Sequence, residues 1–362
     1  MKIAFLIEKY IPSLGGAERY AWDFTSALAA AGHEVHVFAS VHGEESPAGV
    51  TLRAVDTAPG AFGESVERML ATETFDVVHG TGWTWGADVF QPHGGVHLAN
   101  REARRASRFL DAINPKQRRL RRIERRQYLG RPPVLFVALS QRVQRDMQRF
   151  YGIGDEKIRV VYNGVDTGRF NPANRGKLRG EYRKRLGIGE DEVVFLIVAH
   201  NFELKGVPEL VASVTAKGFP DCRLVVVGKD DLPGPAPGGR VIFAGAVDDT
   251  APCFAAADVY AHPTRYDPCS LTVLEALASG LPVITTTANG AGELMTDGRE
   301  GFVIPPRDAK ALDGALWAML KPARRAEMAL AARALAEKHA LGDNVREMIA
   351  VYEETIRLKG RS

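Results

Sequence analysis

Short apolar runs alternate with amphipathic stretches along most of the chain. In the first half, the apolar runs predict buried strands within residues 2–10, 33–40, 75–80, 86–94, 134–140 and 157–166. Residues 17–31 have apolar side chains at helical spacing, which predicts a helix that ends before Gly32. Residues 140–152 predict a second helix. This order is that of a β-loop-α-β unit followed by further strands.

The pattern then starts again. Apolar runs predict strands at residues 192–200, 222–228, 240–245, 258–263 and 281–287. Helical or loop segments separate most of them, including a Pro/Gly-rich loop at 230–240, and such alternation favours parallel sheets with covered faces. The sequence therefore predicts an α/β protein of two doubly wound, Rossmann-like domains.

The best boundary is the turn signal at residues 163–166, which divides the chain into domains 1–164 and 165–343. An amphipathic last helix follows at 344–360, and the pattern leaves its place open. Ligands of such sheets bind beyond the carboxyl ends of the strands, and two sheets facing each other would form a central cleft for a small molecule.

Composition narrows the class of protein. The 362 residues are 45% hydrophobic, which suffices for two cores, and no run of 18 apolar residues predicts a membrane-spanning helix. The stretch "MKIAFLIEKYIP" predicts a first strand rather than a secretory signal. The three cysteines are odd in number and form no C-x-x-C, so we expect free thiols in a reducing cytosol, without disulfides or a zinc site.

The net charge of +3 hides a basic segment. Residues 101–131 contain twelve Lys or Arg and three Asp or Glu, a net +9, so the rest of the chain carries −6. A solvated helical face is the simple interpretation, but the density favours an anionic partner: a membrane surface, a phosphorylated acceptor or nucleic acid. The arginines that would form this surface are Arg101, Arg104, Arg105, Arg118, Arg119, Arg121, Arg122, Arg125 and Arg126.

Several short motifs point to phosphate and hydroxyl recognition. Gly15 and Gly16 follow the first strand, where glycine lets a backbone approach a ligand, although a tight turn alone would also explain them. They do not form G-x-G-x-x-G, so a nicotinamide site is not supported. Lys205 follows a strand end and could meet a phosphate as a point charge or be an ordinary surface lysine.

The segment "YDPCSLTVLEALASG" combines two carboxylates with a helix start. A helix that begins near Ser270 would point its first amides at an anion such as a diphosphate. Glu275 could accept hydrogen bonds from ribose hydroxyls, and Asp267 could bind hydroxyls of a sugar. The alternative for Glu275 is a surface position, which its apolar neighbours disfavour.

Taken together, these motifs resemble the retaining glycosyltransferases of family four, which have the GT-B fold. The resemblance rests on the paired glycines, "NGVD" and "RFNP" at 163–172, Lys-Gly at 205–206, and two acids leading into "EALASGLPVI". It extends from "GGAER" to "GELMTDGREGFVIPPRD". The start "FLIEKYIPSLGGAERYAWDF" and the block "GADVFQPHGGVH" are most similar to lipopolysaccharide core glucosyltransferases.

The resemblance implies roles for individual residues. Lys205 would neutralise the diphosphate, Asp267 would contact the donor sugar, and either His93 or His97 would face that sugar. The donor-binding set would comprise Gly15, Gly16, His200, Lys205, Cys269, Ser270, Leu271 and Glu275. The last helix would pack on the first domain. The co-substrate would be a nucleotide-diphosphate sugar, with UDP-glucose as the first candidate. No other cofactor and no metal would take part.

Two positions depart from the family pattern. His200 stands where an arginine is usual, so charge compensation would rest more on Lys205 or on an arginine from elsewhere. Asp267 replaces the usual glutamate and is one methylene shorter, which leaves the identity of the sugar open.

The resemblance predicts a metal-independent hexosyltransferase that acts with retention. The acceptor would be a lipopolysaccharide-core or other membrane-linked glycan, at the cytoplasmic face of the inner membrane, where the basic segment would hold the enzyme peripherally. A family member with another donor or a soluble acceptor is the alternative. A non-enzymatic nucleic-acid-binding protein is a distant one, because Phe109 and Tyr128 are the only rings in the basic segment.

Overall fold

The computed structural model describes residues 1–58, 61–105, 113–230 and 239–360. The chain divides into two compact units. Unit 1 comprises Met1–Asn163 together with Gly342–Ser362, and unit 2 comprises Gly164–Leu341. The chain passes from the first unit to the second within the predicted turn at 163–166, and returns at the start of the last helix.

Unit 1 contains a parallel sheet of seven strands in the order β5-β3-β1-β6-β7-β8-β9, and a short parallel pair β2-β4. Its strands are β1 Lys2–Leu6, β2 Lys9–Tyr10, β3 Glu34–Ala39, β4 Val41–His42, β5 Val50–Ala54, β6 Val77–Thr81, β7 Val89–Gln91, β8 Leu135–Ala138 and β9 Ile158–Val160. The inner strands are buried, because helices cover both faces of a parallel sheet, and this is why they are near-continuous apolar runs.

The helices of unit 1 are α1 Gly16–Ala30, α2 Phe62–Leu70, α3 His97–Ala103, α4 Pro115–Arg125, α5 Gln141–Tyr151 and α13 Leu341–Lys359. A π-helical turn, Arg126–Gly130, continues α4. The last helix packs on this unit: the Tyr352 hydroxyl shares a 2.6 Å hydrogen bond with His79 Nδ1, and Asn344 accepts from the Tyr20 hydroxyl at 3.1 Å.

Unit 2 contains a parallel sheet of six strands in the order β12-β11-β10-β13-β14-β15. Its strands are β10 Val194–Val198, β11 Arg223–Val227, β12 Val241–Gly245, β13 Val259–His262, β14 Val283–Thr286 and β15 Gly301–Ile304. Its helices are α6 Asn174–Leu186, α7 Phe202–Lys205, α8 Val207–Val214, α9 Ala251–Ala256, α10 Leu271–Ala278, α11 Ala309–Met319 and α12 Pro322–Glu337.

The predicted architecture of two parallel-sheet α/β domains is confirmed, with differences in detail. The first predicted strand is two strands, interrupted after Leu6, and the last helix begins three residues earlier than predicted, at Leu341. The strands β5 and β15 were not predicted: Val50–Ala54 contains the polar residues Thr51 and Arg53, and Gly301–Ile304 begins with a glycine after a polar turn. Most of the predicted loop at 230–240 lies outside the described residues.

Three further predictions concern membranes, thiols and metals. Of the helices in the described part of the chain, none is both long and apolar enough to cross a bilayer. The three cysteines are buried and none forms a disulfide, and burial raises the pKa of the Cys222 and Cys253 thiols to about 11. Across residues 1–58, 61–105, 113–230 and 239–360, no group of three His, Cys, Asp or Glu could hold a metal ion.

A buried charge cluster joins α6 to the sheet of unit 2. Asp258, directly before β13, accepts from Arg175 at 2.6 Å, Arg179 at 3.0 Å and Arg183 at 2.7 Å, and from the Val194 amide at 2.9 Å. Burial alone would raise the pKa of this carboxyl, but the hydrogen bonds from Arg175 and Val194 and the other two guanidinium charges hold the pKa below its ordinary value. The cluster therefore depends on an ionised Asp258.

Replacing Asp258 by alanine should leave three guanidinium groups without their carboxylate partner. The side chain of one of these residues, Arg183, is nearly inaccessible to solvent. We expect Asp258→Ala to lower the free energy of unfolding by about 3–5 kcal/mol in a urea titration. Asp221→Ala is the matched control, because Asp221 pairs with Arg240 but its side chain is 96% exposed, and its loss should cost less than about 1 kcal/mol. Equal losses in the two variants would contradict a structural role for the cluster.

Candidate active site

Two neighbouring strands bring the predicted donor-binding residues of unit 2 together. Strand β10 pairs in parallel with β13, with Phe195 opposite Val259, so both strands end at the same edge of the sheet. Lys205 follows the end of β10, and Asp267 follows the end of β13. The edge where the carboxyl ends of parallel strands meet is the usual ligand-binding edge of such sheets.

Helix α7 is docked on the loop that follows β13. The Leu204 carbonyl accepts from the Arg265 amide at 2.8 Å and from Thr264 Oγ1 at 3.1 Å. Gly206, two residues after Leu204, has φ +80°, and a Cβ at this position would lie 2.4 Å from the Pro263 carbonyl oxygen. Only glycine permits this approach, which explains the Lys-Gly pair and fixes the backbone from which Lys205 extends.

Lys205 and Asp267 form an ion pair, with 2.5 Å between Nζ and Oδ2. The two side chains are 20% and 11% exposed, so the pair is largely removed from water but open at one side. The backbone of Asp267 is held on both sides, since its amide donates to Ala288 and its carbonyl accepts from Gly290. The structure thus brings the predicted phosphate-binding cation and the predicted sugar-binding carboxylate into direct contact.

Helix α10 begins where the sequence predicted. Ser270 is its N-cap, and its Oγ accepts from the Val273 amide, while the Ser270 amide donates to Asn289 Oδ1 at 3.2 Å. The amides of Leu271 and Thr272 have no acceptor within the helix, as in any first helical turn. These donors and the helix dipole favour an anion beside the Lys205–Asp267 pair.

Glu275 and Asp267 act on a common neighbour. Burial raises the pKa of the Tyr260 hydroxyl, and the negative charges of Glu275 and Asp267 raise it further. Tyr260 donates to Thr272 Oγ1 at 2.6 Å. Glu275 is half-buried on an otherwise apolar helix, which disfavours the alternative that it is an ordinary surface residue.

The remaining predicted donor residues differ in exposure. Cys269 is buried next to the cap of α10, whereas His200 is exposed after β10. One residue of this edge was missed by sequence reasoning. His262, the last residue of β13, is 1% exposed, its Nδ1 lies 3.3 Å from Ser270 Oγ, and its Nε2 lies 3.9 Å from Asp267 Oδ2. The sequence signal that could have identified His262 is a histidine at the end of a buried strand.

Burial and the Lys205 charge lower the pKa of His262 to about 3, so its imidazole is neutral. The neutral ring therefore places no second positive charge beside Asp267, and the Lys205 ammonium is its charged partner.

In unit 1, the paired glycines and His93 lie at the carboxyl edge of the sheet. Gly15 precedes α1 in extended conformation and Gly16 is its first residue. His93, two residues after β7, packs its ring on Tyr20 of α1 at 4.5 Å between centroids, and its Nε2 lies 3.1 Å from Gln91 Oε1. Burial lowers the pKa of His93 to about 3, so this imidazole is neutral as well.

His97 is the first residue of α3. Its Nε2 lies 2.9 Å from Gln117 Oε1, and its ring meets Trp83 edge-on at 6.1 Å. His97 is therefore held by helix α4, whereas His93 is held by the end of β7 and α1. The structure gives the two candidate histidines different supports within the same unit.

The basic segment is only partly a uniform surface. Residues 106–112 lie outside the described part of the chain. Four of the predicted arginines are exposed on α4: Arg118, Arg119, Arg122 and Arg125. Arg101 is half-buried on α3, Arg104 is half-buried directly after α3, Arg105 is exposed, and Arg121 is half-buried on α4. Arg126 stacks on Trp85 at 4.2 Å and faces Glu64 and Glu67, so it takes part in packing.

Comparison with known proteins agrees with this architecture. A model of glycosyltransferase family 4 matches residues 14–169, and a model of group 1 glycosyl transferases matches residues 192–321. A protein named probable transglycosylase from Burkholderia thailandensis is 32% identical over 337 residues, covering 88% of each chain. The lipopolysaccharide glucosyltransferase WaaG of Escherichia coli is 28% identical over 321 residues, 84% of this chain and 85% of WaaG.

A crystal structure of WaaG superposes with a TM-score of 0.82 at 24% identity, over 97% of this chain and 99% of that one. The two sheets and the two family models together define the class. The chain belongs to the family 4 glycosyltransferases and has the GT-B fold.

Replacing Gly206 by alanine should destabilise unit 2 by strain and by a clash. We expect Gly206→Ala to cost about 2–4 kcal/mol of unfolding free energy, measured by urea titration, because a left-handed alanine costs about 1 kcal/mol and the Pro263 carbonyl must also move. Gly187→Ala is the control: Gly187 has φ +66°, but its added Cβ would meet nothing within 4 Å. A loss no larger than that of the control would show that α7 is not docked as described.

Proposed function

We propose that this protein is a retaining, metal-independent hexosyltransferase, with UDP-glucose as the first candidate donor and a lipopolysaccharide-core or other membrane-linked glycan as acceptor. The observation that carries the proposal is the Lys205–Asp267 pair beside the first turn of α10. It combines a cation, helix amides and two carboxylates at the edge of one sheet. The name of the relative WaaG, a lipopolysaccharide glucosyltransferase, supports the choice of sugar and acceptor.

In the donor complex, the diphosphate takes the place of Asp267 as the partner of Lys205. The ammonium is then an electrostatic partner for the charge that develops on the leaving diphosphate, and the amides of Leu271 and Thr272 add hydrogen bonds. His200 is exposed and near the end of the same strand, so it is a weaker contributor than the arginine that the family has there. Lys205 therefore carries most of the charge compensation.

The carboxylates select the hydroxyl-bearing parts of the donor. Asp267, once released by Lys205, accepts hydrogen bonds from hydroxyls of the sugar, and Glu275 accepts from the ribose. Since Asp267 is one methylene shorter than a glutamate, the sugar it contacts best remains the open part of the proposal. A family 4 transferase with another donor sugar is the alternative that this observation favours.

Transfer proceeds on the face that the diphosphate leaves. The acceptor hydroxyl attacks the anomeric carbon, the bond from that carbon to the diphosphate oxygen breaks, and a phosphate oxygen takes the proton of the hydroxyl. No protein base is required, so catalysis consists of positioning and charge stabilisation. One of two histidines, His93 or His97, then faces the transferred sugar as a hydrogen-bonding partner.

The exposed face of α4 supports a peripheral location at an anionic membrane surface. Its arginines would meet phosphate groups, and Ile113 and Leu129, 59% and 49% exposed at the two ends of the basic stretch, would enter the headgroup region. The proposed location is therefore the cytoplasmic face of the inner membrane, where nascent lipopolysaccharide would be available.

The donor site predicts stabilisation by one nucleotide. Melting temperatures are measured with UDP, GDP, ADP and the common UDP-sugars, and we expect UDP near 100 times its Kd to add about 2.7 kcal/mol, a shift of several degrees. Glu275→Ala should abolish most of the shift, whereas Glu327→Ala, an exposed carboxylate of the same unit, should keep it. If no nucleotide shifts the protein at millimolar concentration, the donor assignment is wrong.

The basic face of α4 predicts salt-sensitive membrane binding. In flotation with vesicles that contain anionic lipid, the double change Arg118→Gln and Arg122→Gln should weaken binding about thirty-fold at low salt, because each arginine contributes about 1 kcal/mol. Lys177→Gln with Lys184→Gln removes the same charge from exposed positions of α6 and should have little effect. Binding that does not change with salt would refute the electrostatic attachment.

A further inference from the structure

Glu124 is the one acidic residue of the basic helix α4, and it is buried. It is 2% exposed, although the flanking Arg122 and Arg125 are exposed. A buried carboxylate on a helix this rich in exposed arginine must be held by specific donors, because removing it from water unpaired is costly. The flanking residues of α4 therefore do not explain why the Glu124 carboxylate is buried.

The donors come from two other helices. Glu124 Oε1 accepts from the His97 amide at 2.5 Å, and Oε2 accepts from the Tyr151 hydroxyl at 2.6 Å. Burial and the charge of Glu124 raise the pKa of Tyr151, so this hydroxyl remains a donor. The N-cap position of α3 is Val96, whose side chain offers no acceptor, and Glu124 supplies the acceptor for the first turn of α3 instead.

The same face of α4 also holds the imidazole of His97. Gln117 lies seven residues before Glu124, two helical turns away on the same side, and its Oε1 lies 2.9 Å from His97 Nε2. Because an amide oxygen can only accept, Nε2 of His97 is the donor in this contact. One helix thus fixes both the backbone and the ring of His97.

The inner face of α4 is anchored to the sheet. In the π-helical turn that continues it, Tyr128 stacks on Tyr151 at 4.3 Å and on Phe136 of β8 at 5.3 Å. Gln127 donates to the carbonyls of Gly82 and Thr84, just after β6, at 2.6 and 2.7 Å. The helix is therefore connected to the carboxyl edge of the sheet, where His97 lies.

We propose that Glu124 is a positioning residue for transfer: it holds His97 in place from the back of the same helix whose front carries the membrane-facing arginines. The inference rests on the proposed function, and of its two candidate histidines it chooses His97 as the one that acts on the donor sugar. Under this proposal, α4, the helix proposed to bind the membrane surface, is also a structural part of the active site. A misplacement of about 1 Å at a reacting group can cost on the order of a hundred-fold in rate.

The test compares Glu124→Gln, Glu124→Ala and Gln117→Met with Glu102→Gln in the full-length protein. Glu102 is an exposed carboxylate on α3 that pairs with Arg149 at the surface, so it is the matched control. Release of UDP from UDP-glucose, with water as the acceptor of the glucosyl group, gives kcat and KM, and UDP-induced thermal stabilisation reports the donor site of unit 2. Imidazole nitrogen NMR reports the tautomer of His97, with its signal assigned through His97→Gln.

We expect kcat to fall about tenfold in Glu124→Gln, which keeps one acceptor oxygen, and about a hundred-fold in Glu124→Ala. KM for UDP-glucose and the UDP-induced shift should stay within twofold of wild type, and Glu102→Gln should behave as wild type. The His97 signal should move in both Glu124 variants and in Gln117→Met. Because Gln is close to Glu in shape and Gln117 is half-buried, these two variants keep the test valid if Glu124→Ala does not fold.

Wild-type kcat in Glu124→Gln and Gln117→Met with an unchanged His97 signal would overturn the inference while leaving the proposed function intact. A moved His97 signal with unchanged kcat would show that Glu124 positions a histidine that transfer does not use, which also overturns it. If wild-type protein neither binds UDP nor releases it from UDP-glucose, the proposed function fails. In that case an unchanged His97 signal in the variants still refutes the positioning role.

Discussion

The parallel pairing of β10 with β13 is the constraint on which the candidate donor site depends. Parallel neighbours must be joined by a long crossover, so residues 62 positions apart, Lys205 and Asp267, leave the sheet at the same edge and meet. The close approach of Gly206 to Pro263 fixes the backbone beside the lysine. An ammonium, a carboxylate and a helix start are thereby held together by backbone geometry rather than by flexible side chains alone.

In unit 1, too, neighbouring parallel strands end at a common edge of the sheet, although the residues at that edge have different chemistry. The carboxyl ends of its strands lead into the paired glycines and into the two histidines, and the imidazole of His93 is neutral because burial removes it from water. The last helix returns to this unit through Tyr352 and Asn344, which bond to His79 and Tyr20 beneath that edge. A neutral ring offers hydrogen bonds without adding charge, which suits contact with a sugar.

Helix α4 has two faces with opposite physical demands. Its arginines face water, where charge is well solvated and available to an anionic surface. Its inner face holds Gln117 and the buried Glu124, each bonded to His97. A single element therefore belongs both to the surface and to the carboxyl edge of the sheet, and net charge along the sequence could reveal only the first of these roles.

The sequence by itself determined the two β/α series, their boundary, the helix start at Ser270 and the acids that flank it, because strand and helix periodicities and cap residues are local signals. It could not show that Lys205 contacts Asp267, that His262 ends beside them, or that Glu124 caps α3. Lys205 and Asp267 are 62 positions apart and His97 and Glu124 are 27 apart, and the contact of His262 depends on how the loop after β13 folds back. Only the tertiary structure decides them, because burial and pairing are properties of the packed sheet and not of the local chain.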